Sequence, residues 1–228
     1  MKTSKRKQAL VAGISLFVMA VAAMFAYGYV FPLVEVEGDP AATWNGLTIN
    51  KTLFFAGLAA WVIIFITDLL VTVSLYYFFR ETHKNLSLAT AAIRLVYTLI
   101  LGIALTALFA LIPVLKEPDM DAMQAGSRVL DGYDSFRKLW SLGLIVFGLH
   151  LIGLGILSIL HDRIHNFFGI LLLVAGVGYL VVHISAAMPS IPAETVDLLE
   201  SILMLPMALG EILFAIWLIA RGGKEKKH

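Results

Sequence analysis

Leu139-Trp-Ser-Leu-Gly-Leu-Ile-Val-Phe-Gly-Leu-His-Leu-Ile-Gly-Leu-Gly-Ile-Leu-Ser-Ile-Leu160 holds a single ionisable side chain, His150. A bilayer core takes about 20 apolar residues in a helix, and a helix satisfies its backbone N–H and C=O groups internally. Working outward, five further stretches read the same way: about Ala9–Leu33, Leu53–Phe79, Leu86–Leu115, Phe167–Met188 and Leu198–Ala220. The expected fold is all-α, a six-transmembrane-helix bundle forming one integral membrane domain over residues 1–228.

Composition agrees. Of 228 residues, 60% are hydrophobic and 14% charged, and mean hydropathy is +0.88. Soluble domains carry about 25% charged residues, so lipid is the expected solvent and partner. A net charge of +1 gives no footprint for nucleic acid. With no cysteine, disulfides, thiolate metal sites and Cys nucleophiles are excluded. No GxSxG elbow, P-loop or dinucleotide fingerprint occurs. The start Met1-Lys-Thr-Ser-Lys-Arg-Lys7 looks like a signal peptide, but the following apolar run is long and ends without a small-x-small site. It is expected to be a retained first span.

Lys and Arg set the expected orientation. The N-terminus, the second and fourth connections and the C-terminus carry eleven: Lys2, Lys5, Arg6, Lys7, Arg80, Lys84, Arg163, Arg221, Lys224, Lys226 and Lys227. The other connections carry five: Lys51, Lys116, Arg128, Arg137 and Lys138. Both termini are therefore expected in the cytoplasm of a multi-pass cell-membrane protein. The long third connection, Lys116 to Lys138, opens on a Glu-Pro-Asp turn and is expected outside, with an interfacial helix over Asp121–Arg137. The first connection, Glu35 to Lys51, reads as a polar segment.

The informative residues are the ionisable ones inside the spans: Asp68, Arg94, His150, His183 and Glu211. A charge in mid-bilayer costs at least a few kcal/mol unless paired, so each should face the bundle interior. At 1.5 Å per residue from the cytoplasmic ends, Asp68 lies roughly 16 Å deep, Arg94 roughly 12 Å, His150 roughly 15 Å and Glu211 roughly 14 Å. These four share a layer. His183 lies roughly 25 Å up, about 10 Å beyond His150, which disfavours a bis-His haem. Glycines along the fourth and fifth spans should let helices approach closely, and Pro206 should kink the last span just before Glu211.

Several stretches resemble a known family: Asp68-Leu-Leu-Val-Thr-Val-Ser-Leu-Tyr-Tyr-Phe-Phe-Arg80, His83-Lys-Asn-Leu-Ser-Leu-Ala-Thr-Ala-Ala-Ile-Arg-Leu95 and Phe147-Gly-Leu-His-Leu-Ile-Gly-Leu-Gly155. Ala175-Gly-Val-Gly-Tyr179, Leu209-Gly-Glu211 and Trp217-Leu-Ile-Ala-Arg-Gly222 belong with them. The family is the domain-of-unknown-function 4386 family of bacterial polytopic membrane proteins, and the likeness runs from Ala9 to Gly222. It implies a bacterial inner-membrane location and nominates Asp68, Arg94, His150 and Glu211 as shared features. It supplies no substrate, and His183 is not among the matched residues.

Three functional readings stay open. In the first, Asp68, Arg94, His150 and Glu211 build a charged cavity in the cytoplasmic half for a small polar ligand, a lipid headgroup or a cation. Two acids and one base leave excess negative charge unless His150 is protonated or one acid is neutral. The plain counterpart is a structural ion pair between Arg94 and Asp68 or Glu211. In the second, Asp68, His150 and Glu211 hold a metal for intramembrane hydrolysis, three ligands plus an open position. No HExxH motif accompanies them, and no other cofactor is expected. In the third, the chain is a partner subunit or sensor that uses Lys116–Lys138 as a contact surface. His161 and His165, four apart, could ligate a metal on a helix but are expected to be solvated loop residues.

Overall fold

The computed structural model describes residues 4–117 and 120–224, and among them every regular element is helical. The terminal Lys2, Lys226 and Lys227, and Pro118 and Asp119 of the expected turn, lie outside the described residues. Six helical segments are long and apolar enough to cross a bilayer: Lys5–Val34, Lys51–Phe79, Lys84–Val114, Ala122–Ile159, Asn166–Ala187 and Ala193–Ala220. The chain is a multi-pass membrane protein.

The first segment is α1 (Lys5–Ala23), a π-helical stretch over Met24–Val30 and α2 (Phe31–Val34). After α3 (Pro40–Ile49), α4 (Lys51–Phe79) forms the second, and α5 (Lys84–Phe109) with α6 (Leu111–Val114) the third. The last three are α7 (Ala122–Ile159), α8 (Asn166–Ala187) and α9 (Ala193–Ala220).

Two connections differ from expectation. The polar segment Glu35–Lys51 contains α3, whose start is encoded locally. The Asp39 carboxylate accepts from the Ala42 N–H at 2.9 Å, and Pro40 occupies the first turn, where its missing N–H costs nothing. The expected interfacial helix over Asp121–Arg137 is not separate from the fourth span. Both belong to α7, 38 residues long, or about 57 Å at 1.5 Å per residue. No proline interrupts Ala122–Ile159, so the helix continues through the charged turns into the apolar ones.

Contacts divide the chain into two compact units, and each boundary falls inside a helix. The first unit is Met1–Val18, Thr67–Leu99 and Ser141–His228. A glycine seam packs α7 closely against α8. A Cβ on Gly148 would sit 2.9 Å from the Gly176 carbonyl oxygen, and one on Gly155 2.8 Å from that of Gly169. A seven-residue step up α7 is matched by a seven-residue step down α8, the register of antiparallel neighbours. Small residues do this work in lipid, where no hydrophobic effect draws helices together. The same unit ties α1 to α9: Arg6 donates to the carbonyl oxygens of Leu218, Ile219 and Gly222 at 3.1, 2.5 and 2.8 Å.

The second unit is Met19–Ile66 and Ile100–Trp140. Its core is aromatic. The Phe31 ring centre lies 4.4 Å from Tyr133, and Trp61 lies 4.7 Å from Phe136 and 5.1 Å from Trp140, all edge to face. Such pairs add to the gain from burial. Beside them both terminal nitrogens of Arg137 donate to the Glu35 carboxylate, at 2.5 and 2.6 Å.

Candidate functional site

The site lies wholly within the first unit. Residues Thr90, Arg94 and Thr98 are spaced four apart on α5, so they share one face. That face meets Asp68 of α4 and His150 of α7. Gly153 allows the approach from α7, because a Cβ there would sit 2.5 Å from the Thr90 hydroxyl oxygen.

Arg94 is the centre. One terminal nitrogen donates to Asp68 Oδ1, and the other lies 3.0 Å from His150 Nε2. The second Asp68 oxygen accepts from the Thr98 hydroxyl. Asp68 and Arg94 are 0% exposed and His150 is 1% exposed. The guanidinium also lies 5.2 Å from the centre of the Phe147 ring, a cation–π contact. Phe147 and His150, three apart on α7, thus both reach Arg94, while Gly148 between them faces α8.

This geometry fixes the state of His150. A guanidinium has only donors, so Nε2 must accept. The ring proton is then on Nδ1, which lies 3.0 Å from the Thr90 carbonyl oxygen and donates to it. His150 is neutral, and the negative Asp68 and positive Arg94 cancel. The three form an electrically neutral cluster.

Glu211 stands apart from that contact. Its Oε1 accepts from the Tyr179 hydroxyl at 3.1 Å. It lies within electrostatic reach of Arg94 and Asp68, yet among the described residues it makes no ion pair. Pro206, five residues before it in α9, has no N–H for the carbonyl of Ile202. Tyr179 packs edge to face on Phe147 at 5.2 Å and stacks on His183 at 5.9 Å. His183 Nδ1 lies 2.9 Å from the Ser141 hydroxyl and takes no part in the Arg94 cluster.

The expected metal set is not assembled. Arg94 sits between Asp68 and His150 and bonds to both, and Glu211 is turned to Tyr179. Among the described residues no three His, Asp or Glu side chains come together as a group that could hold a metal ion. His161 and His165 lie in the turn between α7 and α8, not on one helix. His165 Nδ1 accepts from the Phe167 N–H and caps α8. His161 is a half-buried loop residue that stacks on Phe78, with ring centres 5.4 Å apart.

Thr90, Thr98 and Tyr179 complete the site and carry no charge that would single them out. The four-residue spacing about Arg94 marks the two threonines, and four residues separate Tyr179 from His183.

The chain belongs to the family described as Domain of unknown function (DUF4386), whose model matches residues 11–222. It is also similar to an uncharacterized protein of Archaeoglobus fulgidus, 30% identical over 165 residues, which are 71% of this chain and 81% of that one. No solved structure matches it.

Proposed function

We propose that this chain is a cell-membrane protein with both termini in the cytoplasm, and that Glu211 binds and releases a proton inside the membrane. The orientation rests on the eleven-to-five split of Lys and Arg. The proton site rests on one observation. Of the four charged-layer residues, Asp68 and Arg94 cancel by direct contact, His150 is held neutral between Arg94 and the Thr90 carbonyl, and Glu211 is left with a phenol as its hydrogen-bond partner.

An ionised carboxylate at bilayer depth with no cation in contact is costly, and taking up a proton removes the cost. The donor set favours a proton over a metal cation. One carboxylate and one phenol oxygen fall short of the six to eight oxygens of calcium or the octahedron of magnesium. Tyr179 reports the state of the site, donating to Glu211 when it is ionised and free to accept when it is protonated. Arg94 supplies a fixed positive charge nearby, and its own partners keep it in place.

The test is proton uptake by proteoliposomes that enclose a pH-sensitive dye and face an imposed pH step. The wild type should take up protons faster than empty vesicles, and Glu211→Gln should lose that increment. Equal rates for wild type and Glu211→Gln would overturn the proposal.

A further inference from the structure

Away from this layer, the first unit encloses an open cleft of about 830 Å³. It lies at the ends of helices: Arg80 directly follows α4, His161 and Arg163 follow α7, and Lys5 and Arg6 begin α1. Four cations line it, Lys5, Arg6, Arg80 and Arg163, against two acids, Glu81 and Asp162. Side chains at the ends of spanning helices lie where a bilayer carries its headgroups.

Two of the four cations are committed. The Arg6 guanidinium fills three carbonyl oxygens at the end of α9, the role expected of a cation at a helix C-terminus. Lys5 Nζ lies 2.8 Å from Glu81. The other two are held by fewer contacts. Arg80 lies with its guanidinium 4.7 Å from the Tyr77 ring centre, over the ring instead of on the α4 carbonyls. Arg163 gives one nitrogen to the Lys224 carbonyl oxygen at 3.1 Å. Among the described residues neither makes an ion pair with an acid.

His161 adds a neutral donor. Its Nδ1 accepts from the Arg163 N–H at 3.2 Å, so the ring proton sits on Nε2. Its ring is fixed flat on Phe78, 7° from parallel. Burial and the Lys5 charge hold the imidazole below its usual pKa, so the ring is neutral near pH 7.

Two guanidinium groups and an imidazole line one cleft, and arginine binds phosphate oxygens in bidentate fashion. The volume lies within the roughly 300–1,000 Å³ of small-molecule sites. We propose that this cleft binds a phosphate group through Arg80 and Arg163, carried by a phospholipid headgroup or free in solution.

The test uses the full-length protein in neutral detergent. One arm titrates inorganic phosphate by calorimetry. The other offers mixed micelles of phosphatidylglycerol and phosphatidylcholine and counts retained lipids by native mass spectrometry. The wild type should exceed the Arg80→Ala/Arg163→Ala double variant at least ten-fold in one arm. A response in the first arm assigns free phosphate, and a response in the second alone assigns the headgroup. Should the double variant fail to fold, Arg163→Ala, at an exposed turn position, should lose at least three-fold. Wild-type binding by Arg163→Ala, or an equal loss in Lys138→Ala of the second unit, would overturn the proposal.

Discussion

Asp68→Leu strands the Arg94 guanidinium. Because both partners are 0% exposed, solvent screening does not discount the effect. Removing one member of a buried pair costs about 3–5 kcal/mol, most of it the penalty of a buried charge left without its counterion. For a chain of this length each kcal/mol moves Tm by about 2–4 °C, so the fall is roughly 6–20 °C. Arg94→Leu strands the Asp68 carboxylate and should fall in the same range. The double variant Asp68→Leu/Arg94→Leu buries no charge. It should recover most of the loss, because replacing a whole buried pair with apolar residues is often neutral. The recovery stops short of complete, since Thr98 and His150 each lose a partner, at about 1 kcal/mol per hydrogen bond. Thermal unfolding of the three variants in one detergent, followed by intrinsic fluorescence, gives the cycle. Single variants within about 1 kcal/mol of wild type, or a double variant that loses the sum of both, would refute the reasoning.

The glycine seam predicts a contrast: Gly155→Val should cost roughly 1–3 kcal/mol by overpacking. Gly28→Ala should leave the unfolding midpoint nearly unchanged, because a Cβ there meets nothing within 4 Å. Arg137→Ala should cost about 1 kcal/mol, because the arginine is 36% exposed and its pair with Glu35 is partly screened. The loss should shrink when unfolding is measured at high salt. Because burial lowers the His161 pKa in the fold, protonation favours the unfolded chain. That residue's stability contribution is complete above the unfolded value of about 6.5 and lost as pH falls below it. A His161→Gln variant should therefore show a shallower fall of Tm on acidification than the wild type.

The spans are legible in the sequence because lipid leaves little choice: an apolar run of this length must be helical to satisfy its backbone. Asp68, Arg94, His150 and Glu211 stand out for the same reason, since a polar group in such a run has to be accounted for. Their partners are not legible. Which helix face meets which depends on rotation about each axis and on neighbour choice, and one sequence sets neither. Depth alone placed the four in one layer, but it could not tell that Arg94 would occupy the space between Asp68 and His150 and prevent a shared metal. Thr90 and Thr98 look like ordinary helix residues until Arg94 is known to face Asp68. The start of α3 was legible in Asp39-Pro40, a cap followed by a first-turn proline, yet its charged surroundings read as a loop. In α7 the charges from Asp131 to Lys138 marked the end of the apolar run, and that end does not stop a helix.

The most direct measurement of the central claim is infrared difference spectroscopy of the membrane-reconstituted protein through a pH titration. The carbonyl stretch of a protonated carboxylic acid should appear as the site takes up its proton. It should vanish in Glu211→Gln and shift in Tyr179→Phe, which removes the hydrogen-bond partner. A band that persists in Glu211→Gln, or one that vanishes in Asp68→Asn instead, would place the proton elsewhere and contradict the account.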